Sequence, residues 1–411
     1  MKEYDQRVDL TPILLAGVLG LAVALRVIYL VELSSTPFFR HPVLDAQYYL
    51  SWATRLARGG FRFCPEFQGN PLYPYLLAFL IRFAQGGTLL IRIVQHGLGI
   101  ATCYLIFRCG RTLFNDNIGL LAALFYALYI PALFYEGWFL SASLTSFFTA
   151  ALLCSLLRAN QSRRAGYWFG SGVIGGLFIL ARPTLLPVGA LLWILVVSQR
   201  KENGRLQRAL PFLTGLLIII IPTSLYFSSN REEPVHISTH GGENFYIGNN
   251  PGASGLGRMP DFARGIPELQ RRDFQDEASR LTGRELSPAR SSRFWFGRGL
   301  SFIGSHPLRF LRLLVLKVYL FLCGVDFFDN YNLDFFRGQF ALLSFPFSWR
   351  ILAALALGGL VSGRRRGRAA DLFRIFIVSY VFSIALFFVT SRFRIPVVPL
   401  FCLAAAAALV A

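Results

Sequence analysis

The residues best suited to chemistry are a carboxylate and a set of arginines flanking apolar runs. After the run Thr11 to Val31 the chain reads His41-Pro-Val-Leu-Asp45-Ala-Gln-Tyr-Tyr-Leu-Ser-Trp-Ala53. It re-enters apolar sequence at Asn70-Pro-Leu-Tyr-Pro-Tyr75. A lone acid at the end of an apolar run, followed by an amphipathic aromatic stretch, suits a general base that takes a proton from an attacking hydroxyl. Glu136, in Leu133-Phe-Tyr-Glu136-Gly-Trp, lies at a turn between two further runs and is a second candidate acid. Two such acids could share a substrate or a divalent cation. Arg182 (Leu180-Ala-Arg182-Pro-Thr184) sits at a short hairpin, and Arg392 and Arg394 (Ser391-Arg-Phe-Arg-Ile-Pro396) at another turn. Guanidinium groups hold phosphate oxygens in bidentate geometry and stabilise charge on a departing phosphate. Tyr48 and Tyr73, in the aromatic stretches flanking the first loop, join these arginines as candidate donor-binding residues.

Each of these residues also has a plainer use. Asp45 falls where a helix cap would. Glu136 could be a solvated acid at a helix junction. The arginines could pair with the two acids or with lipid headgroups. Arg26 lies inside the first apolar run, where a charge is costly and normally faces protein or a water-filled cavity. Asp326, Asp329 and Asn330 are loop candidates for an acceptor or cation. The five histidines are scattered, and no Cys/His spacing resembles a metal site. Five of the six cysteines fall in or beside apolar runs, which gives no disulfide framework.

The elements that must position these residues are membrane helices. The 411 residues are 54% hydrophobic and only 15% charged, and the apolar residues gather into runs long enough to cross a bilayer. Ten such runs lie near 11–33, 88–107, 117–135, 139–157, 167–181, 184–198, 210–227, 346–362, 372–390 and 395–411. The formal charge of +19 could suggest nucleic acid. The basic residues instead cluster in short loops between runs, as orientation in a membrane requires. These clusters are Arg108 with Arg111, Arg158 with Arg163 and Arg164, Arg200-Lys201 with Arg205 and Arg208, and Arg364 to Arg366 with Arg368. They assign those loops and the N-terminus to the cytoplasm, and the Asp45 loop and the stretch 229–308 to the opposite side. Parity then makes 309–325, with Arg309, Arg312 and Lys317, an interfacial or re-entrant helix, unless a third crossing lies in this region.

Three regions follow: an N-terminal transmembrane module at 1–228, whose first outer loop (34–87) carries Asp45; an extracytoplasmic region at 229–308; and interfacial and transmembrane helices at 309–411. Leu44 to Arg58 has Tyr49, Trp52, Ala53 and Leu56 at helical spacing, ended by Gly59-Gly60. Pro71 to Phe83 is short and Pro-punctuated, so it should dip into the bilayer surface or form the outer part of a broken helix. The stretch 229–308 holds His240-Gly-Gly-Glu-Asn-Phe-Tyr-Ile-Gly-Asn-Asn-Pro-Gly252, a polar helix near 264–282 and an aromatic-amphipathic one near 292–303.

Five segments, in this order, resemble the bacterial GT-C membrane glycosyltransferases, in the family-39 branch with protein O-mannosyltransferases and the aminoarabinose transferase of lipid A. They are Leu44-Asp-Ala-Gln-Tyr-Tyr-Leu-Ser-Trp-Ala, Pro71-Leu-Tyr-Pro-Tyr-Leu-Leu-Ala, Leu180-Ala-Arg-Pro-Thr, Phe245-Tyr-Ile-Gly-Asn-Asn-Pro and Ser391-Arg-Phe-Arg-Ile-Pro-Val-Val-Pro. The resemblance implies an all-α polytopic bundle of about ten to eleven transmembrane helices with extracytoplasmic amphipathic helices. It also implies a polyprenyl-phosphate-linked sugar donor and inverting transfer, with the first-loop acid Asp45 as base and Glu136 as a second acid by position. The sequence departs from the pattern at Ala46, where the mannosyltransferases carry a second acid, and at Asn70, where some relatives carry a basic residue. No soluble C-terminal domain is expected after Ala411.

The expected function is transfer of a sugar from a polyprenyl-phosphate donor to a glycan, lipid or protein acceptor on the outer face of a bacterial inner membrane. A lipid-linked glycan ligase or polymerase would use similar chemistry. A lipid or glycan transporter would instead place polar residues at mid-membrane on broken helices. No cofactor is required by the sequence beyond a possible divalent cation, and no nucleic acid partner is expected.

Overall fold

The computed structural model describes residues 9–61, 69–83, 87–162, 164–198, 205–229, 237–327, 329–362 and 367–410. Arg163, Arg200, Lys201, Arg364 to Arg366 and Cys64 lie outside the described residues. The architecture is helical, and the chain is a multi-pass membrane protein. The first half comprises α1 (Thr11–Ser34), α2 (Leu44–Arg58), α3 (Leu72–Phe83), α4 (Leu89–Leu113), α5 (Asp116–Leu128), α6 (Ile130–Glu136), α7 (Ala142–Ser162), α8 (Ala165–Ala181), α9 (Leu186–Ser198) and α10 (Arg205–Ser228). Three polar-to-amphipathic helices follow: α11 (Gly241–Gly248), α12 (Pro267–Thr282) and α13 (Pro288–Ser305). The chain closes with α14 (Pro307–Leu322), α15 (Leu333–Arg337), α16 (Trp349–Ser362), α17 (Arg368–Ala385) and α18 (Val398–Val410).

Local chemistry sets these boundaries. Asn115 caps α5 by accepting from the Ile118 N–H at 2.9 Å, and Ser287 caps α13 in the same way. Proline stands in the first turn of α6, α12, α13 and α14, where its missing N–H costs nothing. Gly283, at φ +67°, closes α12 in the left-handed conformation. The expected helix 44–58 is α2 to the residue, and the short Pro71–Phe83 segment is α3.

All ten apolar runs contain helix. Among the described residues, five helices are long and apolar enough to cross a membrane. The bent pair α5–α6, with 57° between its halves, makes a sixth if counted as one span. α3, α8, α9 and α16 are apolar but short. α8 and α16 pack closely on their neighbours through glycine. A Cβ on Gly172 of α8 would lie 2.0 Å from Phe212 O of α10, and one on Gly359 of α16 would lie 1.9 Å from Ala404 O of α18. Backbones this close are typical of membrane helix interfaces lined by small residues. α14 exposes Arg309 and Arg312, as an interfacial helix should. Lys317 departs from that reading: it is fully buried, and its Nζ donates to Asn249 Oδ1 at 3.1 Å.

The segments that matter for a site all lie at element ends. Asp45 follows α1, Arg182 separates α8 from α9, and Arg392 precedes α18. The region between α10 and α14 packs onto the same end. A short parallel bridge pairs Leu256 with Val389, and Val389 N–H donates to Gly255 O at 3.0 Å. Gly255 sits at φ +87°, a conformation that only glycine adopts freely. The bridge therefore ties the polar region to the strand-like approach to Arg392.

Candidate functional site

A cavity of about 580 Å³ opens between these element ends. Its wall includes Asp45 and Tyr48 from α2, Arg182 and Thr184 from the α8–α9 turn, and Asp329, Asn330, Thr390 and Arg392 from the approaches to α15 and α18. The polar region contributes His240, Asn244, Arg258 and Arg271. Four arginines against two aspartates leave the lining with an excess of positive charge.

Asp45 stands in the first turn of α2, where the helix dipole favours a carboxylate. It is not the cap: that position is Val43. Asp45 instead accepts from Arg392 Nη1 at 2.8 Å. The preceding Leu44 holds φ +51°, a left-handed conformation that is strained for a branched side chain. Burial alone would raise the Asp45 pKa. The Arg392 guanidinium, a hydrogen bond from Asn330 and the charge of Arg271 outweigh burial and hold it below the ordinary carboxylate value. The carboxylate is therefore ionised at neutral pH.

Arg392 is clamped from both sides, with Nε 3.0 Å from Asp329 Oδ2. Thr390 Oγ1 donates to that same oxygen at 3.0 Å, and Asn330 N–H donates to the other at 2.8 Å. Arg182 is the opposite case. It is only 7% exposed, yet its polar contacts are one donation to Thr184 Oγ1 at 3.2 Å and a position 3.7 Å above the Phe393 ring. Among the described residues no acid lies within ion-pair distance of it. Burial pushes its guanidinium down to about 10, as expected for a cation without a matching anion.

The remaining expected site residues have other surroundings. Tyr48 lines the cavity, with its hydroxyl accepting from Arg271 Nη1 and its ring 4.1 Å beneath that guanidinium. Tyr73 is fully buried behind the wall, donating to Gln95 Oε1 and packing edge-on against Tyr49, which does line the cavity. Glu136 lies outside the cavity. Its carboxylate takes a bidentate pair from Arg26 at 2.7 and 2.8 Å and a contact from His96 Nδ1 at 3.0 Å, all buried. Asp45 and Glu136 therefore do not line this cavity together: α6 turns its last residue inward, onto Gly99 of α4. Arg394 also lies outside. It faces a neighbouring pocket of about 130 Å³, donating to Val325 O at 2.8 Å and Leu320 O at 2.7 Å. It caps the end of α14, and its nearest acid is Asp326 at 3.5 Å. Side chains at 390, 392 and 393 reach the large cavity, while 391, 394 and 395 reach the small one.

Asp329, named in the sequence only as a loop candidate, proves to be the second acid on Arg392. Arg271 and His240 carried no distinguishing signal, because the first sits in a helix polar nearly all round and the second is one of five scattered histidines. Among the described residues, no group of three or more His, Cys, Asp or Glu side chains is arranged to hold a metal ion.

Residues 68–227 match the family model described as dolichyl-phosphate-mannose-protein mannosyltransferase. No curated protein matches the sequence. The solved structures that resemble it include the oligosaccharyltransferase of Archaeoglobus fulgidus. In complex with zinc and sulfate it gives a TM-score of 0.56 at 13% identity over 97% of this chain and 48% of that one. The apo form gives 0.56 at 14% identity, over 100% and 51%. The same enzyme, AglB, in complex with an inhibitory peptide and a dolichol-phosphate gives 0.56 at 13% identity, over 98% and 50%. The present chain thus spans about half the length of the structures it matches, and at this identity the likeness is one of fold.

Proposed function

We infer from this GT-C membrane fold that the chain is a glycosyltransferase moving a sugar from a polyprenyl-phosphate-linked donor to an acceptor hydroxyl at the extracytoplasmic membrane face. The observation that carries the reading is the convergence of Asp45, Arg182 and Arg392 on one cavity in which Arg182 is buried without an acid. A cavity wall with spare positive charge suits the phosphate of the donor. The ionised Asp45 suits the incoming hydroxyl.

In this mechanism the donor phosphate lies against Arg182, with Arg271 and Arg392 within the same wall. The acceptor hydroxyl approaches Asp45, gives up its proton as its oxygen attacks the anomeric carbon, and the sugar–phosphate bond breaks on the opposite side. Inversion follows from that in-line displacement. Arg392 has two tasks: it keeps Asp45 ionised at rest, and its ion-pair contact with Asp329 helps to hold the guanidinium that directs Asp45. Much of the rate would come from orientation and from charge stabilisation at the leaving oxygen. Tyr73 supports the wall through Tyr49.

The transporter reading would gain from the broken pair α5–α6, since discontinuous helices mark many transport sites. Here the polar groups at the break, Arg26, Glu136 and His96, pair with one another and line neither cavity described above, so the break is better read as packing.

The test has two parts. Cells lacking the protein should accumulate a polyprenyl-phosphate sugar detectable by mass spectrometry. Purified protein in lipid nanodiscs should consume that species and form lipid phosphate in proportion to glycosylated acceptor. Unchanged lipid-linked pools together with no turnover would reject the reading, whereas donor binding and release without bond cleavage would favour transport.

A further inference from the structure

The segment His240-Gly-Gly-Glu243 has no part in the mechanism above, yet it places a histidine in the cavity wall and a buried acid behind it. His240 lines the cavity together with Asp45, Arg182, Arg271 and Arg392. Its Nδ1 lies 2.6 Å from Glu243 Oε2, and the Glu243 side chain is only 2% exposed. The contact is an ion pair rather than a hydrogen bond, since neither Nδ1 nor Oε2 has a hydrogen-bond partner, and a carboxylate this close attracts an imidazolium. Nε2 is the nitrogen left for a ligand.

The helix carrying this pair is locked in place. A Cβ on Gly242 would fall 1.8 Å from Ser292 O of α13, and one on Gly248 would fall 1.8 Å from Phe387 O after α17. Gly242 N–H donates to Ser292 Oγ at 3.0 Å, and Asn249 Nδ2 donates to Leu386 O at 2.7 Å. α11 is thus seated between α13 and the segment that leads to Arg392, so the imidazole is held by two packed elements rather than by a free loop.

We propose that His240, oriented by Glu243, is the general acid that protonates the departing phosphate. The proposal rests on the transferase reading and adds a proton donor to it. The donor is a phosphodiester with one negative charge. As the acceptor oxygen bonds to the anomeric carbon, the electron pair of the breaking carbon–oxygen bond goes to the phosphate oxygen. Asp45 takes the acceptor proton and protonated His240 gives one from Nε2 to the phosphate. The products are the glycosylated acceptor and a lipid phosphate monoanion, with Asp45 neutral and His240 neutral. Exchange with water returns both to their starting states. The chemistry is matched: a phosphate monoester takes its second proton near pH 6, and an ordinary imidazole titrates near 6.5. The arginines of the wall can neutralise charge but cannot release a proton. The other charged groups facing this space are Asp45 and Asp329, which remain acceptors, and Arg182, Arg258, Arg271 and Arg392, which stabilise negative charge on the phosphate.

The test is the pH dependence of sugar transfer by the full chain in nanodiscs, with the native lipid-linked sugar as donor. The wild type should lose turnover as pH rises through the histidine titration. His240→Gln should lower kcat by about a hundredfold, remove that limb, and leave the donor Kd, read by binding to nanodisc-held protein, within a few-fold of native. Glu243→Gln should lower kcat less than His240→Gln does, because the imidazolium loses its neighbouring acid while the proton donor remains. A native kcat and pH profile in His240→Gln overturns the proposal while leaving the transferase intact. So does a variant that loses donor affinity in step with kcat, which would make His240 a binding group only. Wild-type protein that turns over no lipid-linked sugar would instead defeat the transferase reading itself.

Discussion

Two clusters of arginine and acid lie in this molecule, one packed shut and one left open. In the first, Arg26 donates twice to Glu136 and His96 approaches the same carboxylate, all within a few per cent of full burial. In the second, Arg392 is held between Asp45 and Asp329 beside a cavity, and Arg182 stands next to them with no acid of its own. Both carry arginine and acid, so charge alone does not mark a site. The difference is stoichiometry and space. The closed cluster pairs its one guanidinium with its one carboxylate, which is the requirement for ions buried among helices. The open one keeps a surplus of guanidinium and room for a ligand to supply the missing anion.

The sharpest way to break this comparison is to substitute one acid from each cluster. Asp45→Asn keeps the shape and removes the base, so transfer should fall by about two to four orders of magnitude, while the melting temperature should drop only by what the Arg392 pairing contributes, since Asp329 still holds that guanidinium. Steady-state rates beside thermal melts decide it; a native rate would remove Asp45 from the chemistry. Glu136→Gln should do the reverse. An uncompensated Arg26 in the bundle should cost about 3–5 kcal/mol of stability, while correctly folded protein keeps a turnover within a few-fold of native. Loss of turnover without loss of stability would show that the closed cluster takes part in catalysis after all.

A third pair of changes sharpens the open side. Removal of a single phosphate-stabilising donor typically costs about a hundredfold or more in rate, so Arg182→Ala should do so, with weaker donor binding. Arg182→Lys should recover part of the charge but not the planar fork. Arg392→Gln acts through Asp45. The Asp45 pKa is depressed in the folded chain, so the pairing contributes its full stability above the ordinary aspartate value. That contribution is lost as pH falls through the depressed value. Without Arg392 the titration moves up, and acid inactivation should begin at higher pH than in the native protein. Stability curves between pH 3 and 7 would show it, and superimposable curves would mean that Arg392 does not hold Asp45 in solution.

Much of this fold was legible because membrane helices announce themselves by apolar length, and α2 by its aromatic spacing. The pairing of the shorter apolar helices was not, since α8, α9 and α16 depend on glycine contacts with neighbours that no local pattern reveals. At the site, Asp45, Arg182 and Arg392 were visible as charges where orientation rules disfavour them. Glu136 and Arg394 gave the same signal for a different reason, as internal ties. The sequence cannot distinguish the two cases, because the deciding fact is the partner. Arg26 is 110 positions from Glu136, and Leu320 is 74 from Arg394. His240 was hidden for the opposite reason: its acid is three residues away, but only packing shows that Glu243 is buried and that the imidazole reaches the cavity.

The smallest effect concerns Leu44, whose left-handed φ places strain directly before the base. A leucine held there costs about 1–2 kcal/mol relative to a relaxed backbone, and something must offset it; the Asp45–Arg392 bond is the nearest candidate. Leu44→Ala keeps the strained backbone and removes only side-chain packing. Leu44→Gly relieves the strain but lets the start of α2 sample other conformations. If the strain serves to aim Asp45, Leu44→Gly should lose a few-fold more turnover than Leu44→Ala, although its stability change should be the smaller of the two. Equal rates in the two variants would mean that the conformation of Leu44 is a by-product of packing and that Arg392 alone directs the carboxylate.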